Sequence, residues 1–145
     1  MRQILLLTIL IFQMSCAQAQ ITNLDDFQWK NRLLIIYADD QKSSQLEEQL
    51  AKISINKEGY KERELKVILL KKEKVDIWNL NENHQLDFHQ IIKELKIEEN
   101  QPYENLLIGK DGGVKLRSNS PFSNEKLFNT IDAMPMRQRE MKDKN

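Results

Sequence analysis

Two apolar runs of strand length stand out in the first half of the chain, Leu33 to Ala38, which is unbroken, and Leu65 to Leu70, interrupted only by Lys66. Runs without alternation predict strands buried on both faces. Between them Leu46, Leu50 and Ile53 recur at helical spacing, behind Ser44-Gln-Leu-Glu47, which has the spacing of a capping box. Gly59 is expected to stop that helix. Strand, helix and strand in succession predict a parallel pair joined by a right-handed crossover. Further on, Asp87 is placed to cap a helix whose Phe88, Ile91, Ile92 and Leu95 form one stripe. Leu106 to Ile108 and Val114 to Arg117 bracket a Gly-rich segment, which predicts a hairpin with Asp111-Gly112 at its positive-φ positions. A last helix from about Ser123 turns Leu127, Phe128 and Ile131 inward. Pro135 is expected to end it, because proline lacks the N–H and its ring clashes with the preceding turn. The tail after Met136 is expected to be exposed and frayed.

The predicted order is β-α-β-α-β-β-α, an α/β chain with a four-stranded mixed sheet and flanking helices. That is the order of a minimal thioredoxin-like domain. Three stretches carry a closer resemblance: Leu24 to Arg32, Leu107 to Arg117, and Ile131-Asp-Ala-Met-Pro-Met-Arg137. Together they resemble the peroxiredoxin-like domain of unknown function found in small exported bacterial proteins and in animal extracellular sushi-repeat proteins. The resemblance spans residues 24–141 and implies a thioredoxin-like fold and residence outside the cytoplasm. It brings no established activity.

The amino terminus points to the same compartment. Arg2 precedes an apolar run from Ile4 to Phe12, and Ala17-Gln18-Ala19 fits the small-x-small rule for leader cleavage. Residues 1–19 are therefore expected to be a signal peptide, the remaining domain starting at Gln20, periplasmic or secreted. The run is too short for a bilayer core, which needs ~20 apolar residues, so no transmembrane helix is expected. The alternative is a lipoprotein tethered to the membrane through Cys16, although Gln13 stands where such a motif wants an aliphatic residue. Cys16 is the only cysteine in the sequence. Cleavage discards it and acylation converts it to a thioether, so the expected domain has no thiol, disulfide or thiolate ligand.

Composition narrows the functional classes further. The 22 basic and 22 acidic residues are interspersed, with no basic stripe of the kind that nucleic acid requires. Thiol enzymes of this fold carry a cysteine pair, or a Thr-x-x-Cys, where the first strand meets its helix. Here that junction reads Ala38-Asp-Asp-Gln-Lys-Ser-Ser44. A serine without an adjacent base is a weak nucleophile, and Ser44 is expected to serve as a helix cap. His84, Asp87 and His89 are close in sequence, but i, i+5 puts the histidines on different helical faces and Asp87 has a capping role, so no metal site is expected. Gly109-Lys-Asp-Gly-Gly113 lies between strands, unlike a phosphate loop, which feeds a helix. No cofactor is expected. In the predicted topology Asp39 and Asp40 approach Pro102 and Tyr103, and the returning hairpin strand brings Arg117 to the same side. These residues are candidates for a small binding rim, the alternative being ordinary loop charges. The expected role is a binding module for an unidentified protein or small ligand, with no thiol-dependent oxidoreductase or peroxidase activity. The alternative is a redox-associated protein acting without its own thiol.

Overall fold

The strand expected to be buried on both faces lies at the centre of the sheet. A computed structural model describes residues 20–39, 43–78 and 84–143; the expected leader with Cys16, and Asp40, lie outside them. After a short 3-10 turn, Leu24–Phe27, come β1 (Arg32–Ala38), α1 (Ser44–Ser54), α2 (Lys57–Glu62), β2 (Leu65–Lys71) and β3 (Lys74–Trp78). They are followed by α3 (Phe88–Leu95), β4 (Tyr103–Ile108), β5 (Val114–Ser118), α4 (Asn124–Asp132) and α5 (Pro135–Lys142). The five strands form one mixed sheet in the order β3-β2-β1-β4-β5. β1 runs parallel to β2 and antiparallel to β4, and all seven of its residues are buried. Alternate residues of the central strands feed two cores. Leu33, Ile35 and Tyr37 pack with the stripe of α3, while Leu34, Ile36 and Ala38 pack with α1, α2 and α4.

The sheet has one strand more than the expected four. β3 is joined to β2 by a two-residue turn, Lys72-Glu73, with φ of 47° and 60°. Positive φ at both centres is the hairpin geometry that normally selects Asn-Gly or Gly-Gly, so Lys-Glu gave no turn signal. The hairpin of β4 and β5 forms, with an irregularity at Leu107/Ile108, but of the expected pair Asp111-Gly112 only Gly112 has positive φ, at 80°. Pro102 is trans.

Several boundaries differ from expectation. Ser43, one residue earlier than expected, caps α1 by accepting from the Leu46 N–H, and Ser44 is the first helical residue. Gly59 does not stop α1, which ends at Ser54; it lies inside α2. A Cβ there would come within 2.7 Å of the Phe128 ring, so the missing side chain is what admits that ring. Leu127 and Ile131 are fully buried as expected, but Phe128 lies at the margin of the core. It stands edge-on to Tyr60 at 5.4 Å, with the Arg63 guanidinium 4.2 Å from its centroid. Pro135 opens α5 rather than closing α4, which ends at Asp132; a first-turn proline gives up no helical hydrogen bond.

The tail is not frayed as expected, since Arg137 is only 1% exposed. Its guanidinium donates to Asp132 (3.1 Å), the Glu62 side chain (2.6 Å) and the Glu62 carbonyl (3.1 Å). Arg63 holds the other side of Asp132 at 2.6 Å. Glu140 receives both ends of buried Arg32, at 3.1 and 3.2 Å, and Lys110 at 2.7 Å; Lys110 also meets Glu64. The cluster binds the start of β1, the hairpin turn and both final helices into one polar knot. Burial would raise the Asp132 and Glu140 carboxyls, but the cations around them outweigh it and hold both below the usual carboxylate range.

Two sets of outcomes follow from this packing. Leu127→Ala should cost ~2–5 kcal/mol in chemical denaturation, with Phe128→Ala costing less. Gly59→Ala should destabilise although alanine is the better helix former by about 1 kcal/mol, and adding Phe128→Ala should recover part of the loss. A depressed carboxyl contributes stability that is complete above its unfolded pKa, ~4, and is lost as the pH falls through the folded value. Melting temperatures should therefore fall as pH drops below about 4. Glu140→Gln should be less stable at neutral pH, with a shallower acid limb.

Candidate functional site

The junction between β1 and α1 is built as the topology dictates. The Asp39 N–H donates to the Pro102 carbonyl at 3.1 Å, which ties the end of β1 to the segment entering β4. The Asp39 side chain is exposed, and Ser43 Oγ is committed to the cap.

Tyr103 and Arg117 do not meet. Tyr103 is fully buried on the face covered by α1 and α4. Its hydroxyl donates to Asn105 Oδ1 at 2.7 Å. Asn105 Nδ2 in turn donates to Gln49 Oε1 (3.1 Å) and the Ser120 carbonyl (3.2 Å), and Gln49 Oε1 also accepts from the Phe122 N–H at 2.8 Å. This chain fastens β4 to α1 and to the segment leading into α4. Burial pushes the Tyr103 hydroxyl well above its usual range, so it stays a neutral donor. Arg117, paired in register with Leu106, lies on the opposite face. Its guanidinium donates to Glu104 at 2.7 Å and to the carbonyls of Leu95 and Lys96, closing the C-terminal end of α3. Successive strand residues point to opposite faces, and the register of β5 therefore separates Arg117 from Tyr103. Of the expected rim, Asp39 reaches the Pro102 backbone, Tyr103 and Arg117 serve opposite layers, and Asp40 lies outside the described residues.

His84 bridges to Ile21 in a short parallel pairing, Asp87 caps α3 by accepting from the Gln90 N–H at 2.6 Å, and His89 is exposed. Among the described residues no group of three or more His, Cys, Asp or Glu is placed to hold a metal ion, and no helix is long and apolar enough to cross a membrane.

A cavity of about 500 Å³ lies on the α1–α2 side of the sheet, where β3 forms the sheet edge. Ile53 of α1, Tyr60 of α2, Leu65 and Val67 of β2 and Trp78 of β3 contribute its apolar lining, Lys57, Glu58, Lys61, Glu64 and Lys66 bring charge to it, and Asn31 adds an amide. Alternation along Lys74 to Trp78 explains the geometry: Ile77 enters the α3 core, and Trp78, opposite Val67, takes the other face. The Trp78 indole N–H is buried and has no hydrogen-bond partner among the described residues. The Tyr60 hydroxyl donates to Asn124 at 3.0 Å, and burial raises its pKa far above the ordinary value. None of these residues was a sequence-based candidate. The available signal was the alternating Lys74-Val-Asp-Ile-Trp78, masked by its unorthodox turn.

In overall shape the chain is similar to solved peroxiredoxins. The reduced 2-Cys peroxiredoxin of Plasmodium vivax superposes with a TM-score of 0.57 at 14% identity, over 80% of this chain and 72% of that one. Thioredoxin peroxidase I of Plasmodium yoelii gives 0.53 at 18% identity, over 80% and 79%. At such identities the likeness shows a thioredoxin-like fold alone. No curated protein matches the chain. Residues 23–140 match the family described as Domain of unknown function (DUF4174).

Placement on opposite faces has a measurable consequence. Tyr103→Phe should cost about 1–3 kcal/mol by leaving Asn105 without its buried donor. Combined with Arg117→Ala, the two effects should add to within ~0.5 kcal/mol, as for independent sites. A larger coupling in a double-mutant cycle would mean that the two side chains share a site.

Proposed function

We propose that the chain, which belongs to the DUF4174 family, is an exported thioredoxin-fold binding module that performs no thiol chemistry. The observation that carries this reading is the β1–α1 junction. Where thiol enzymes of this fold hold a reactive cysteine at the helix N-terminus, the described residues are Ala38, Asp39 and a serine occupied as a cap. No cysteine follows Cys16 anywhere in the sequence. The cavity between α2 and the β2–β3 edge is the ligand site in this reading, because its volume and aromatic lining match those of small-molecule pockets, ~300–1,000 Å³.

Export rests on the leader-like residues 1–19, with acylation at Cys16 as the alternative route out of the cytoplasm. The purified protein should neither reduce insulin disulfides nor consume hydrogen peroxide; turnover above the buffer rate in either assay would overturn the proposal. Mass spectrometry of the protein from its native cell should find a chain beginning at Gln20 outside the cytoplasm. An acylated Cys16 terminus would place it on the membrane instead, and an intact Met1 terminus in the cytoplasm would remove the export reading.

A further inference from the structure

The surroundings of the cavity are chemically one-sided. Lys57 and Lys61 stand one turn apart on α2, both exposed and neither ion-paired among the described residues. Of the two carboxylates at the cavity, Glu64 is already neutralised by Lys110, which leaves Glu58 against three lysines, Lys57, Lys61 and Lys66. The floor beneath them is apolar, built from Ile53, Tyr60, Leu65, Val67 and Trp78. The site therefore offers positive charge above a surface that favours hydrocarbon.

We infer that this cavity binds a monocarboxylate with an apolar tail, the tail against Trp78 and Tyr60 and the carboxylate between Lys57 and Lys61. A neutral molecule of the same shape leaves both ammonium groups unanswered, and a cationic one meets like charge. A short acid such as butyrate covers too little of the floor, so affinity rises with chain length. This inference rests on reading the protein as a binding module, and it adds the class of ligand.

The chain's two tryptophans make the test direct. Trp29 is 63% exposed, and Trp29→Phe leaves Trp78 as the sole indole fluorophore. Titrating that variant with decanoate should give a saturable change in Trp78 emission, and butyrate should bind far more weakly. Lys57→Gln together with Lys61→Gln, both surface changes, should weaken decanoate at least tenfold and leave the binding of decanol unchanged. No saturable response to decanoate from a cooperatively melting protein would overturn the inference. So would equal decanoate affinity with and without the two lysines. The failures are distinguishable: peroxide or insulin turnover defeats the binding-module reading, whereas a missing decanoate response without turnover defeats only the choice of ligand.

Discussion

Everything in this fold is arranged around a strand with no exposed face. β1 is buried along its whole length and paired on both edges, so its apolar side chains are shielded only when both layers of helices are in place. An antiparallel sheet with one wet face can stand with a single covering layer; this one cannot. α3 on one side and α1, α2 and α4 on the other are thus two halves of one requirement. The polar chains built into the sheet serve the same end. Tyr103, Asn105 and Gln49 fasten one layer to β4, and Arg117 fastens the other through the last carbonyls of α3.

This requirement made much of the fold legible in the sequence. A continuous apolar run identified β1, a run broken only by Lys66 identified β2, helical stripes identified α1, α3 and α4, and Gly112 marked the second hairpin. What was not legible had local causes. β3 was hidden because Lys72 and Glu73 adopt a left-handed turn that their side chains do not advertise. α5 was hidden because its buried residue is an arginine, and a charged tail reads as solvated until the carboxylates around it are seen. The proposed rim was drawn from topology, which places strand ends but not strand faces. A hairpin register decides the face, and that register placed Arg117 opposite Leu106.

The two ends of the sheet have different characters. At the end where thiol enzymes of this fold do their chemistry, the described polar groups are used for capping and cross-bracing. At the other end lies the charge cluster, and Glu64 belongs both to it and to the cavity wall. Lys110 reaches Glu64 from the hairpin turn and Asn31 lines the cavity, so the stretches that carry the family resemblance contribute both to its electrostatics and to its wall. Breaking a buried ion pair strands a charge and is strongly destabilising, which gives these charged positions a structural reason for being there.

The contact between Arg32 and Glu140 joins residues 108 positions apart, the opening of β1 to the closing helix. A chain that emerges from its amino terminus, from a ribosome or through a translocation channel, holds Arg32 long before Glu140 is available. Until then the central strand has a cation at its first position and no carboxylate from the final helix to meet it. Non-local closure of this kind is slow relative to helix formation. The bond between the first residue of the central strand and the final helix is therefore among the last that the emerging chain is able to make.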